Sequence, residues 1–152
     1  MYPITCTTGT LSSDKYDFIT FATGTLTIIY QWSGFTQPIN DTMYHSALSL
    51  SVFKGGSTIP VKFQLTNAND TAVQSSSSPL WLTPQKGSAM SASIDESTYT
   101  DPATSGTIYK YDPTAQQYIF NWNTKGLAVG YWYKIFAKLE DGTVESVVVG
   151  IR

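Results

Sequence analysis

The chain has 152 residues, with 9 Lys plus Arg against 11 Asp plus Glu, a net charge of −2 and only 13% charged residues. A single domain of this length buries about 70% of its extended-chain surface, so a core can form without metals or disulfides. The scarcity of cations argues against a nucleic-acid groove, which needs clustered Lys and Arg, and no run approaches the roughly 18 to 20 apolar residues that span a bilayer as a helix. Aromatics make up 14% of the residues and Ser plus Thr about a quarter. Aromatic and β-branched side chains favour strands, so the composition predicts an all-β protein with a neutral, hydroxyl-rich surface.

The first residues, Met1 to Cys6, lack the basic and apolar regions of a signal peptide, so an exported form is expected to be mature or trimmed. Cys6 is the only cysteine, which excludes an intrachain disulfide. Tyr2 to Leu11 is Thr-rich and nearly uncharged. It suits a first strand of its own domain, or a donor strand that adds to a sheet edge of another copy.

Strands are expected at Tyr16 to Ala22, Thr25 to Tyr30 and Ala47 to Phe53. From Ile59 to Leu65 the alternation is clear, with Ile59, Val61, Phe63 and Leu65 on one face. Pro60 cannot donate to a ladder, which places it at a sheet edge or at the first residue of this strand. Ser75 to Ser78, followed by Pro79, reads as an exposed loop, and shorter strands follow at Leu80 to Leu82, Met90 to Ile94 and Thr107 to Tyr111. Gln117 to Trp122 puts Tyr118, Phe120 and Trp122 on one face, and Tyr131 to Leu139 does the same for Tyr131, Tyr133, Ile135, Ala137 and Leu139. The Asp141-Gly142 pair joins this last run to Val144 to Ile151, a hairpin signal between two alternating segments. Gly, Pro, Asn or Asp marks a turn every 8 to 15 residues or so, the rhythm of a β-sandwich.

The runs Tyr30-Gln-Trp32-Ser-Gly34-Phe35 and Pro60-Val61-Lys62-Phe63, then Asn121-Trp122 with Lys125-Gly126-Leu127, then Lys138-Leu139-Glu-Asp141-Gly142-Thr143, resemble in content and order the bacterial and archaeal PxKF domain. The resemblance covers about residues 25 to 152. It implies an immunoglobulin-like β-sandwich, mostly antiparallel and of about seven to ten strands, attached to secreted or surface proteins and without catalytic residues to carry over. Residues 1 to 24 stand outside it as an extended N-terminal segment. Many relatives hold cysteines that pair within the domain; this chain has none in the matching region, so packing must supply its stability. Phe63 is then an inward core residue, Lys62 faces solvent, and Gly34 lets the backbone approach closely beneath a Trp32–Phe35 pair.

Catalysis is not expected. His45 is the only histidine, Gly-x-Ser-x-Gly is absent, and the paired carboxylates Asp95-Glu96 and Glu140-Asp141 are sequence neighbours, which on a strand point to opposite faces. No cofactor or metal site is expected either; the Asn67, Asn69, Asp70 cluster reads as a self-bonded turn before a calcium loop. Asn40-Asp-Thr42 and Asn69-Asp-Thr71 match the N-glycosylation acceptor pattern. Two functions remain. One is a structural or adhesion module at the cell surface or outside the cell, forming homo-oligomers through strand edges. The other is a carbohydrate-binding module that stacks a glycan on exposed Trp81, Trp132 and Phe136.

Overall fold

A computed structural model describes residues 2–10, 12–15, 17, 20–26 and 30–152. They form β1 (Tyr2–Ile4), β2 (Gly24–Leu26), β3 (Gln31–Thr36), β4 (Val52–Phe53), β5 (Thr58–Thr66), β6 (Leu80–Ala89), β7 (Lys110–Asp112), β8 (Gln117–Asn123), β9 (Tyr131–Lys138) and β10 (Val144–Ile151), with no helix among the described residues. One four-stranded sheet has the order β3-β5-β8-β7 and the other β4-β10-β9-β6; β1 and β2 make a separate two-stranded sheet. Every pairing is antiparallel except β4 with β10. The protein is thus an all-β sandwich. Of the expected strands at Tyr16 to Ala22 and Thr25 to Tyr30, residues 16, 18, 19 and 27–29 lie outside the described residues.

The period-two faces meet between the sheets. Ile59, Val61, Phe63 and Leu65 of β5 and Tyr118, Phe120 and Trp122 of β8 pack against Tyr133, Ile135 and Ala137 of β9 and Val147, Val149 and Ile151 of β10, all buried. Phe63 sits among four rings, with centroids 4.7 Å from Trp32, 4.9 Å from Tyr109, 5.3 Å from Tyr118 and 6.0 Å from Phe35. Buried phenols each find a partner, as their desolvation demands. Tyr109 donates to the Phe136 carbonyl at 3.2 Å, Tyr133 to the Ala128 carbonyl at 2.8 Å, and the Tyr118 hydroxyl accepts from the Ser75 amide at 2.7 Å. Burial pushes the Tyr109 phenol well above its ordinary range.

Local chemistry explains where the strands depart from the expected ones. Ala47 to Phe53 shrinks to Val52–Phe53: the Leu48 amide turns back onto the His45 carbonyl at 3.0 Å, and the chain before that is organised by Asp41. Its carboxylate accepts the Phe35 and Met43 amides at 3.0 and 3.2 Å, and its carbonyl accepts those of Tyr44 and His45 at 3.1 and 2.8 Å. An aspartate that caps successive amides favours turns over extended chain. Leu80 to Leu82 lengthens to ten residues and Met90 to Ile94 is not a strand. Thr107 to Tyr111 narrows to Lys110–Asp112, with an isolated bridge from Ile108 to Leu80. Pro60 is neither first in its strand nor on an edge strand: it is the third residue of inner β5, yet β3 ends at the Thr36–Lys62 pair, so no strand lies beside it on that side. Ser75 is buried through its bonds to Tyr118, so the expected exposed loop is pinned to the core at one residue. Gly34, at φ +96°, forms the irregularity between Trp32 and Phe35; a Cβ there would stand 2.9 Å from Tyr44.

Each sandwich edge carries something that resists strand addition. On β4, Val52 donates to Asp95 Oδ1 at 2.7 Å and its carbonyl accepts the Asp95 and Glu96 amides. On β3, Asp41 occupies the Phe35 amide. β6 contains Pro84 and Lys86 and two register irregularities, and β7 is three residues long. The proposed donor segment is engaged within its own chain at Tyr2–Ile4, which pairs with Gly24–Leu26, so β2 straddles the junction expected near residue 24.

Candidate functional site

Along β9 the residues opposite the buried face are Trp132, Lys134, Phe136 and Lys138, which present aromatic and cation alternately to the outside of the sheet. Trp132 is half-buried because both cross-strand neighbours are reduced. Gly150 of β10 is its register partner, and a Cβ at Gly150 would lie 3.1 Å from Trp132 Cζ3 and 2.6 Å from Met90 Sδ. On the other side, a Cβ at Gly87 would stand 3.2 Å from the Trp132 carbonyl. The indole therefore lies across a glycine, beside the Met90 thioether, in an arrangement known to restore cover over a bare strand position. Lys134 follows, its Nζ 5.6 Å from the Phe136 ring centre, within cation–π range.

A shallow hollow of about 280 Å³ opens beside the indole, lined by Leu50, Gly87, Ser88, Trp132, Lys134 and Val148. A second of about 350 Å³ shares Leu50, Lys134 and Val148 and continues toward Asp41 and Met43. Together they make one groove over the outer surface of β9 and β10.

The structure divides the three expected platform residues. Trp132 and Phe136 share this outer face, both half-buried. Trp81 is a core residue, 8% exposed, stacked on Phe120 at 4.4 Å and 4° and tilted against Trp122 at 5.7 Å. It takes the inward register of β6 and cannot serve as an exposed platform in this fold. The missed partner of Trp132 is Gly150: counting outward from a two-residue Asp141-Gly142 turn puts Ile151 opposite Trp132, whereas the strands pair from Lys138 with Val144, one residue out of that register.

The other expected residues lie apart. His45 is exposed in the turn after Asp41. Asp95 seals β4, while Glu96 accepts from Ser51 Oγ at 2.8 Å, and burial raises its carboxyl above the ordinary range. Asn67 Oδ1 accepts the Asn69 and Thr71 amides at 2.9 and 3.2 Å, the self-bonded turn expected there. The two glycosylation candidates differ: Asn69 is exposed, whereas the Asn40 side-chain nitrogen donates to the Ser49 carbonyl at 3.0 Å.

A second arrangement, unseen in the sequence, closes one end of the sandwich. Glu140 accepts from the hydroxyl and amide of Ser76, from the Ser77 amide at 3.3 Å and from Tyr30 Oη at 2.9 Å. The Ser76 hydroxyl, followed by Tyr30 and the amides, holds its carboxyl below the ordinary range; burial and then Glu140 push the Tyr30 phenol up to about 12. The signs follow from linkage. The carboxylate's contribution is present above the ordinary carboxylate range and lost as pH falls through the depressed value. That of Tyr30 is present below the ordinary phenol value and lost as pH rises toward about 12. Acidification from neutral pH is expected to lower the protection of the Ser76 and Ser77 amides, measured against their intrinsic exchange rates at each pH, before the core strands open, and Glu140→Gln to remove most of that pH dependence. Identical exchange profiles for the two proteins would contradict the clamp.

No family model matches the chain, and no curated protein or solved structure shows significant similarity to it.

Proposed function

We propose that this chain is a noncatalytic module of the cell surface or extracellular space, and that it adheres through the outer face of β9 and β10. The observation that carries this reading is Trp132 lying across Gly150 at the side of an open groove. A large aromatic held against the sheet offers contact area with little side-chain entropy left to lose on binding, which favours recognition. The PxKF-like motifs support the surface location, since that family consists of modules on secreted and surface proteins. The obstructed strand edges favour contact through a face over contact through backbone pairing.

The test is retention of the purified chain on intact bacterial and archaeal cells and on insoluble polysaccharides. The double variant Trp132→Ala/Phe136→Ala is expected to keep its β-sheet circular dichroism and lose retention by about tenfold, the scale of one to two kcal/mol of contact energy. A folded double variant retained as well as the parent would overturn this use of the face.

A further inference from the structure

We infer that the occupant of this groove is an acidic polysaccharide, one whose sugar rings carry carboxylates, seated with a ring against Trp132 and its charge on Lys134. The inference rests on the adhesive face proposed above and names its ligand. Charge is the first reason. The chain as a whole is net negative, yet the charged residues in the outward register of β6, β9 and β10 are Lys134 and Lys138, both cations; Lys86 pairs with Tyr133 of the core face and lies over the Tyr131 ring at 3.5 Å. Glu145 stands in the opposite register from the groove, paired across from core residue Ala137, and burial raises its carboxyl above the ordinary range. Asp41 borders the far end of the groove, but its two carboxylate oxygens are engaged by the Phe35 and Met43 amides. The hollow beside Trp132 therefore has Lys134 as its one charged lining residue, which favours an anion there.

Spacing is the second reason. Alternate residues on a strand lie about 6.8 Å apart, so Lys134 is one such step from Trp132 and Phe136 one step further. A uronate sugar bears its carboxylate on a ring carbon. With the ring stacked on the indole, that charge projects from the ring edge toward the next residue along the strand, where the ammonium waits beside a second aromatic. A neutral sugar would offer Lys134 no counter-charge beyond the Phe136 ring it already faces. The largely apolar groove also suits a polymer with flat apolar ring faces and charged edges better than a small free anion, which would have no use for Trp132 or Leu50.

Affinity electrophoresis of the full chain in gels containing polygalacturonate, neutral galactan or dextran sulfate tests this. Polygalacturonate is expected to retard the parent strongly, with the effect weakening as salt rises. Lys134→Ala is expected to weaken binding about tenfold, the scale of one charge-assisted contact. Lys134→Arg should retain most of it, and Lys125→Ala, in an exposed turn, all of it. Equal retardation by galactan with no effect of Lys134→Ala would overturn the acidic ligand while leaving the adhesive face intact. Retardation by dextran sulfate alone would overturn the carboxylate. Loss of binding in Lys134→Ala but not in Trp132→Ala would overturn the stacked pose.

Discussion

Phe63→Ala is expected to lower the free energy of unfolding by about 3–5 kcal/mol, the cost of deleting a fully buried aromatic from a core that cannot collapse around the gap. Four rings surround Phe63 at centroid distances of 4.7 to 6.0 Å, contributed by β3, β5's neighbour β8 and the chain before β7. None can follow the missing ring without leaving other partners; Tyr118, for example, is tied by its hydroxyl to Ser75. For a chain of this size the midpoint of thermal unfolding should fall by roughly 10 °C or more. Lys62→Ala, one residue away on the outward face, should change stability by no more than about 0.5 kcal/mol. Calorimetry of the two variants checks the contrast. Equal effects would mean that β5 does not hold the register described.

Trp81→Ala and Trp132→Ala are expected to separate stability from recognition. Trp81 stacks on Phe120 and meets Trp122 and Tyr109, so its truncation should cost about 3–5 kcal/mol and depress the denaturation midpoint sharply. Trp132 keeps a half-exposed ring against Gly150, so its loss should cost distinctly less stability while removing retention on the ligand. Denaturant titration read beside retention resolves the two. A Trp81 variant of unchanged stability that had lost retention would restore that residue to the surface and overturn its place in the core.

The parts of the fold that were legible are those in which one face is buried and the other wet. β5, β8 and the β9–β10 hairpin follow the alternation of Ile59 to Leu65, Tyr118 to Trp122 and Tyr131 to Ile151 almost residue by residue, because burial on one side imposes the period. β6 was hidden beyond Leu82 because it runs along an edge, exposed on both sides, and contains Pro84 and Gly87. Its Leu80-Trp81-Leu82 start is apolar at every position, so the sequence could not say which parity turned inward. The expected strand at Ala47 to Phe53 is realised only at its end because the Leu48 amide turns back onto the His45 carbonyl and the Asn40 side chain holds the Ser49 carbonyl, non-local and turn contacts that outweigh the strand preference. At the candidate site, Trp132 and Phe136 were visible from their parity against Tyr133 and Ile135. Lys134 lay between them in plain view, but its meaning depended on the outer surfaces of β6 and β10, which only the assembled sheet defines. The Glu140 clamp joins Tyr30 to a residue 110 positions away, a separation at which local pattern carries no signal.

The fastened borders of the sandwich bear on how such a molecule tolerates company. Side-chain carboxylates from Asp41 and Asp95 take up amides that would otherwise await a neighbouring chain, and a proline interrupts the longest open rim. Copies brought close together then offer one another few free backbone groups at these borders, even though little net charge keeps them apart.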